Sequence, residues 1–300
     1  DPNVPNFYQP EALAGWKRVV EKVHAEKGLI APQLWHQGMM RKPGTGPNPD
    51  APTDSPSGVT HSGKQVFDPP SSAEVDDMVM AYANAAGEAV RLGFDAIEIH
   101  GAHGYLIDEF FWDVMNKRDD RFGGSLPERA TFAGDIIRET RKQVGPDTAI
   151  ILRFSQWKQQ DYTARLAQTP AEFEAFLKVF VDAGVDVLHA SQRRYWAPEF
   201  PDVDGENGLN TAAWAKKLTG LPSITVGSVG LTGDFEKAFR GEGATVRRLD
   251  DLEERLDKGE FDMVAVGRAL LQDPDWATKV REGRSDELKD YDAKSLAVLY

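Results

Sequence analysis

Two histidines and a tyrosine lie within six residues of one another, directly after a short apolar run. Residues 94–99 predict a buried strand, and His100, His103 and Tyr105 follow it. Two neutral imidazoles can donate hydrogen bonds to a single carbonyl or phenolate oxygen. The phenol of tyrosine stays protonated near neutral pH and can supply a proton. The stretch therefore predicts a site that polarises an oxygen and delivers a proton.

Two other interpretations of the histidines stay open. They could be zinc ligands in a barrel-type metal-dependent hydrolase, or they could cap a turn in a structural role only. Two histidines without a nearby carboxylate or cysteine make an incomplete zinc ligand set. The chain contains no cysteine at all, which excludes disulfides, thiolate zinc sites and a cysteine nucleophile.

Polar residues also occur in or at the end of other apolar runs. Gln33 and Trp35 end the run 29–35, and a glutamine amide can bind the donor and acceptor edge of a heterocycle. A buried structural glutamine fits this segment equally well. Arg153 lies inside the run 148–154, where a cation is costly unless it is paired. It should therefore meet an anion, either a carboxylate of the fold or a negatively charged cofactor.

Glycines end the last two predicted strands. Gly227 ends one of them and is followed by Ser228, and Gly267 ends the other and is followed by Arg268. Glycines at such positions expose backbone N–H groups, and the arginine adds a cation. The loops after strands 7 and 8 of a barrel are where phosphate groups are most often held. The two loops together predict a phosphate site.

Two further features are candidates to enclose a pocket. Tyr195 and Trp196 follow the apolar run 185–190 and predict one wall of it, although ordinary loop aromatics fit the pattern equally well. Residues 37–70 are rich in glycine, proline and serine, and a loop of this length usually covers a site or is disordered. Within it, residues 59–67 predict a small hairpin.

The elements that position these residues repeat one pattern, which is an amphipathic helix, a glycine turn and a short strand. The predicted strands are residues 29–35, 94–99, 148–154, 185–190, 223–227 and 261–267. The predicted helices are residues 11–27, 71–92, 127–144, 170–183, 211–218 and 249–258, with a last one starting near Pro274. This alternation predicts parallel βα units in a single α/β domain over residues 1–300. Candidate residues after many strands favour a (β/α)₈ barrel over an open doubly wound sheet, with only six of the eight strands evident.

The composition of the chain limits the classes of partner that it is suited to bind. Lys plus Arg is 35 and Asp plus Glu is 48, giving a net charge of −13. A chain without net positive charge is poorly suited to nucleic acid. No run of 18 apolar residues and no signal peptide is visible, so we expect no membrane partner and a cytoplasmic protein that acts on a small molecule.

In this order, the residues resemble the Old Yellow Enzyme family of FMN-dependent NAD(P)H oxidoreductases, or ene-reductases. The resemblance runs through essentially the whole chain. It is most specific in the segments His100-Gly-Ala-His103-Gly-Tyr105 and Asn116-Lys-Arg118-Asp-Asp120-Arg-Phe-Gly-Gly124. It implies FMN as cofactor, NAD(P)H as reductant, and α,β-unsaturated carbonyl (enone or enal) or nitro compounds as substrates.

The resemblance also implies a role for each candidate residue. The implied cofactor contacts are Gln33 at the pyrimidine edge of the flavin, Arg153 at its N1/O2 region, and Gly227, Ser228, Gly267 and Arg268 at the phosphate. The implied substrate contacts are His100 and His103 on the carbonyl or nitro oxygen, Tyr105 as the proton donor to the α-carbon, and Trp35, Tyr195 and Trp196 in the pocket.

The N-terminal end departs from the family pattern. Members begin with some tens of residues that form the first two strands, whereas Asp1 resembles a point in the loop before the second major helix. An open barrel of six strands would expose two sheet edges. We therefore expect the chain to pair with another copy or with a complementing N-terminal fragment, and to hold FMN less tightly on its own. An inactive barrel fragment that acts in assembly is the remaining alternative.

Overall fold

The computed structural model describes residues 4–42, 44–46 and 48–298. The chain divides into two compact units, Asp1–Leu188 and His189–Tyr300. Asp1 lies outside the described residues, as do Pro43 and Pro47 of the long loop predicted over residues 37–70. The two units are described separately.

The first unit contains three strands that pair in parallel in chain order. They are β1 Gln33–Leu34, β2 Ala96–His103 and β3 Ala149–Lys158. Gln33 is the register partner of Glu98, and His100 is the register partner of Arg153. Side chains alternate along a strand and register partners project to the same side. Gln33, Glu98, His100 and Arg153 therefore share one face of this sheet.

Six helices and one long loop complete the first unit. The helices are α1 Pro10–Ala25, α2 Ser72–Leu92, α3 Leu106–Phe111, α4 Leu126–Arg129, α5 Thr131–Val144 and α6 Pro170–Ala183. A 3₁₀ turn, Gly38–Met40, lies in the loop, where Val59 and Gln65 form an antiparallel bridge. The core of the unit is aromatic: the ring of Phe111 packs 5.0 Å from Phe176 and 5.7 Å from Phe180. This cluster anchors the short helix α3 against α6.

The predicted strands of the first unit exist, but their ends differ from the prediction. β1 is much shorter than residues 29–35, although Ile30 and Pro32 still accept backbone hydrogen bonds from Asp95 and Glu98. Pro32 has no N–H to donate, which interrupts the ladder there. β2 and β3 are longer than predicted, because polar residues continue the pairing beyond the apolar runs. The helix predicted over residues 127–144 is divided into α4 and α5 at Ala130.

The second unit holds the last strands. β4 Val187–Ser191 begins at the boundary, and β5 Ser223–Val226 and β6 Met263–Val264 follow it in the sheet, with β5 and β6 parallel. The helices are α7 Pro201–Asp204, α8 Thr211–Thr219, α9 Phe235–Phe239, α10 Asp250–Asp257, α11 Arg268–Gln272 and α12 Trp276–Arg281, and two 3₁₀ turns, Ser285–Glu287 and Ala293–Ala297, end the unit. α7, α9 and α11 were not predicted, since four or five residues are too few to show a helical period.

Side-chain caps mark the starts of two helices, each within one residue of its predicted start. The Ser71 hydroxyl accepts a hydrogen bond from the Glu74 N–H, and the Glu74 carboxylate accepts one from the Ser71 N–H, which is a complete capping box at α2. At α6, the Thr169 hydroxyl accepts from the Glu172 N–H at 3.2 Å, with Pro170 as the first helical residue. Side-chain caps of this kind fix where each helix begins.

The cap of α6 can be tested directly. Replacing Thr169 by alanine leaves the N–H of Glu172 without its acceptor, so we expect the free energy of unfolding to fall by about 1 kcal/mol. Urea unfolding followed by circular dichroism measures the change. Thr169→Ser keeps a hydroxyl at the same position and should remain close to the parent chain. Equal losses in both variants would show that the hydroxyl does not act as a cap.

Candidate active site

One face of the first sheet carries the predicted polar residues. Gln33 Nε2 donates a hydrogen bond of 2.5 Å to Glu98 Oε1. Arg153 is largely buried, and burial lowers the pKa of its guanidinium although the negative charge of Glu98 opposes that shift. The carboxylate of Glu98 is therefore an anion within the fold that compensates Arg153. Glu98 was not among the predicted residues, and the only signal for it was a charged residue inside the apolar run 94–99.

The four aromatic candidates of the first unit lie together. The His100 ring is 5.2 Å from that of His103 and 5.3 Å from that of Tyr105, and the Tyr105 ring is 5.0 Å from that of Trp35. A backbone hydrogen bond from Leu106 N to His36 O joins the segment after β1 to the start of α3, which brings Trp35 and Tyr105 side by side. The structure thus groups the predicted oxygen-binding and proton-donating residues.

The two histidines belong to β2 itself, whereas the sequence placed them after the strand. A bulge between Gly101 and His103 lets the strand continue, and His103 has a positive φ of 65°. The bulge changes the direction of the His103 side chain, so both imidazoles reach one place. His100 Nδ1 accepts the N–H of Ala102 at 3.2 Å. A neutral His100 therefore carries its proton on Nε2, where it can be donated.

The turn between His103 and Tyr105 is held by the end of β3. The N–H of His103 donates to Ser155 Oγ at 2.9 Å, and Gln160 Nε2 donates to the carbonyl of Gly104 at 2.8 Å. Gly104 has a φ of 78°, and a Cβ there would collide with the Gln160 side-chain amide. Glycine adopts a positive φ without strain and has no Cβ to collide with Gln160. The position of Tyr105 is therefore fixed by backbone geometry.

A fully buried ion pair lies beneath this turn. Lys158 Nζ of β3 is 2.6 Å from Asp108 Oδ1 of α3, and Asp108 Oδ2 accepts the N–H of Gly104 at 2.7 Å. Burial raises the pKa of Asp108 and lowers the pKa of Lys158, each opposed by the partner's charge. Neither Asp108 nor Lys158 was among the predicted residues. It ties α3 and the turn to the sheet.

The Asn116–Gly124 segment supports the site and carries none of its chemistry. Asn116 Nδ2 donates to the carbonyls of Phe110 and Phe122, at 2.7 Å each. Arg118 pairs with Asp120 and also donates to carbonyls of the long loop, those of Pro56 and Pro70. These side chains replace backbone hydrogen bonds that irregular segments cannot make for themselves.

The candidate phosphate residues lie together in the second unit. Ser228 has a φ of 51°, and its Oγ lies 3.0 Å from the carbonyl oxygens of both Arg193 and Gly233, so its single hydroxyl hydrogen can be donated to either of them. Arg268 donates to the carbonyls of Gly233 and Asp234 at 2.8 and 2.9 Å, and burial lowers the pKa of its guanidinium. Gly267 is bordered by open space. Ser228 and Arg268 therefore meet at the same short backbone segment.

The neighbouring Arg193 and Arg194 were not among the candidates. Both guanidinium groups lie 3.0 Å from the same oxygen, Asp234 Oδ2. Burial alone would raise the pKa of Asp234, but the hydrogen bond of Arg193 and the charges of both arginines outweigh it and lower the pKa. With Arg268, the second unit concentrates three cations around one buried carboxylate.

Tyr195 and Trp196 occupy different environments. Tyr195 is fully buried, its hydroxyl donates to Asp251 Oδ1 at 2.6 Å, and burial raises its pKa to about 12. Its N–H donates to the carbonyl of Gly227 at 3.0 Å, which fixes that glycine loop. Gly227 has a φ of 145° and a Cβ there would lie 2.6 Å from the Gln192 carbonyl oxygen. Trp196 is half-buried with the Arg247 guanidinium 3.9 Å above its ring.

Neither a cluster of metal-ligating side chains nor a membrane-spanning helix occurs in the part of the chain that the structure describes. Within residues 4–42, 44–46 and 48–298, no group of three or more His, Asp or Glu side chains is placed to hold a metal ion. The metal-hydrolase alternative is therefore not favoured. In the same part of the chain, no helix has the length and apolar character needed to cross a bilayer.

The chain is similar in sequence and in structure to proteins named as oxidoreductases, oxidases and reductases. A sequence model of the "NADH:flavin oxidoreductase / NADH oxidase family" matches residues 1–287. NADH oxidase of Thermoanaerobacter brockii is 34% identical over 92% of this chain and 40% of its own length. 12-Oxophytodienoate reductase 2 of Arabidopsis thaliana is 31% identical over 91% of this chain and 70% of its own length. The structure of morphinone reductase in complex with tetrahydroNAD is 25% identical, with a TM-score of 0.71 over 95% of this chain and 74% of that chain.

The buried ion pair gives a stability prediction. Lys158→Met leaves the Asp108 carboxyl in the interior without its partner, and we expect the free energy of unfolding to fall by about 3–5 kcal/mol. Adding Asp108→Asn removes the charge while keeping an acceptor for the Gly104 N–H, so the double variant should recover much of the loss. Urea unfolding measures both. A double variant less stable than Lys158→Met alone would contradict this account of the pair.

Proposed function

The chain belongs to the NADH:flavin oxidoreductase / NADH oxidase family, the Old Yellow Enzyme family that its sequence resembles, and on this premise we propose that it reduces the activated C=C bond of α,β-unsaturated carbonyl or nitro compounds. FMN is the cofactor that the family implies, and a reduced nicotinamide nucleotide is the reductant. The likeness to morphinone reductase also confirms the predicted α/β barrel class. The observation that carries the proposal is the grouping of His100, His103 and Tyr105 next to a sheet face that bears Gln33 and Arg153.

The residues present fit a flavin nucleotide. Arg153 provides a buried cation for the N1/O2 region, and the exposed amide of Gln33 offers both a donor and an acceptor to the pyrimidine edge. In the second unit, Ser228 and Arg268 lie by the open backbone at Gly267, a donor set suited to a phosphate. These residues would hold FMN, which supplies hydride transfer when bound.

The remaining residues act on the substrate. His100 presents an Nε2–H and His103 lies beside it, so the two imidazoles bind the carbonyl or nitro oxygen and stabilise negative charge as it grows there. Tyr105 supplies a proton to the carbon next to that group. The edge of the Trp35 ring fixes the plane of Tyr105 and lines the pocket. Tyr195 and Trp196 stay proposed pocket residues of the second unit.

Several finer assignments stay proposals too. We place the protein in the cytoplasm, treat residues 1–300 as one barrel domain and assign residues 37–70 to a cover over the site. We also propose that the chain pairs with a second copy of itself. The 12-oxophytodienoate reductase and morphinone reductase relatives support ene-reduction as the reaction class. An inactive fragment that acts only in assembly is the alternative.

A spectrum of the purified protein tests the proposal. We expect the flavin absorbance band after reconstitution with FMN, bleaching under anaerobic NADH or NADPH, and reoxidation by a simple enone. A protein that neither binds FMN on reconstitution nor consumes reductant with an enone would refute the proposed function and favour the assembly alternative.

Replacing Tyr105 by phenylalanine isolates the proton-donating step. The phenol is lost while the ring contacts with Trp35 and His100 are kept, so reoxidation by an enone should slow by roughly 100-fold or more. Reduction by NAD(P)H should stay unchanged, because Tyr105 has no part in it. Rapid-mixing absorbance measurements separate the two half-reactions. Tyr162→Phe, which changes a tyrosine stacked on Trp157, is the matched control. Equal slowing of both half-reactions would argue against Tyr105 as the donor.

A further inference from the structure

We propose that Glu98 is a positioning residue that fixes the amide of Gln33 and sets the reduction potential of the bound flavin by moderating the charge of Arg153. The inference rests on the proposed function, because it concerns how this face holds FMN. Nothing in the family resemblance assigned a role to Glu98. Its place in the sheet, its short hydrogen bond and its charge carry the argument.

Glu98 occupies the centre of the candidate face. It lies on β2, the middle strand of three, with Gln33 as its register partner on β1. On the other side its register partner is Ile151 of β3, and Arg153 is two residues further along the same strand and on the same face. Diagonal neighbours of this kind are about 7–8 Å apart, within reach of long side chains. One carboxylate can therefore act on both predicted flavin contacts.

The hydrogen bond fixes which way the Gln33 amide points. A carboxylate only accepts hydrogen bonds, so the 2.5 Å contact with Glu98 Oε1 requires the NH₂ end of the amide. The carbonyl and the second N–H of Gln33 are then left in a single orientation for a ligand. A flavin presents a neighbouring donor and acceptor along its pyrimidine edge, so a fixed amide binds it better than one that turns over. A glutamine at position 98 would accept either end of the amide and lose that selection.

The charge of Glu98 acts on Arg153. The guanidinium is buried, and Glu98 is the charge that favours its cationic form. A negative group beside the arginine reduces the positive potential that a ligand experiences at the same face. Reduced flavin carries negative charge at N1, whereas oxidised flavin is neutral there. Glu98 therefore disfavours the reduced form and lowers the reduction potential, which makes the flavin a stronger hydride donor.

The test compares carboxylate variants of the FMN-reconstituted protein. In Glu98→Gln we expect the equilibrium between reduced and oxidised flavin to shift about tenfold toward the reduced form, a rise of about 30 mV for a two-electron couple. Glu98→Asp keeps the charge, so its potential should stay near that of the parent chain. Both variants lose the fixed amide, and the dissociation constant for FMN should rise about fivefold, the size of one hydrogen bond. Dye-equilibrated anaerobic titration and fluorescence titration measure the two quantities.

Asp95→Asn is the matched control, since it removes a carboxylate three residues earlier in the chain, where Asp95 binds His24 and the Ile30 N–H. It should leave the potential unchanged. The inference would be overturned if the flavin reduction potential of Glu98→Gln equalled that of the parent chain, or if Asp95→Asn shifted that potential by the same amount. In either case, FMN binding by the parent chain would still support the proposed function. A parent chain that does not bind FMN would overturn both. If Glu98→Gln does not fold, Glu98→Asp tests the inference by itself. A dissociation constant for FMN equal to that of the parent chain would then contradict the positioning role of Glu98.

Discussion

The fully buried pair of Lys158 and Asp108 is the interaction on which the candidate site depends most. Burying two charges is costly, and the pair offsets part of this cost because the Lys158 ammonium contacts Asp108 Oδ1 directly while Asp108 Oδ2 accepts a backbone N–H. Asp108 also accepts the N–H of Gly104, so the charge that anchors α3 also shapes the turn before it. Ser155 and Gln160 of the same strand end hold the two sides of that turn. The rings of His103 and Tyr105 are thus placed by groups that never reach a substrate.

The sequence predicted the elements of this fold better than their ends. α2 and α6 begin within one residue of their predicted starts, and each start is fixed by a side-chain cap formed within four residues. Strand ends were less certain, since pairing continues as long as a neighbouring strand supplies partners. β2 therefore runs through a bulge to His103 although its apolar run stops at Ile99. Likewise, β1 is only two residues long, and the preceding Pro32 has no backbone N–H to donate to a neighbouring strand.

The site residues that were predicted are unusual residue types for the segments in which they lie. The site residues that were missed are recognised only by the residues they contact in the folded chain. A histidine pair or an arginine in an apolar run is conspicuous in one segment alone. Glu98 becomes informative only when the register places it beside Gln33 and near Arg153, which are far away in sequence. The same holds for Lys158, whose partner is 50 residues earlier. Such pairs follow from the parallel alignment of strands, and a single sequence does not specify that alignment.

In both units the cation proposed to bind a ligand already has a carboxylate in its surroundings. Glu98 accompanies Arg153 in the first unit, and the charge of Asp234 favours the cationic form of Arg268 in the second. An internal counter-charge reduces the cost of burying a guanidinium before any ligand arrives, and it keeps each side chain in one conformation. The same carboxylate also repels an anionic ligand. The affinity for such a ligand therefore reflects the attraction of the arginine minus the repulsion of the carboxylate. A carboxylate beside each arginine therefore keeps the binding groups in place and also limits how tightly they hold negative charge.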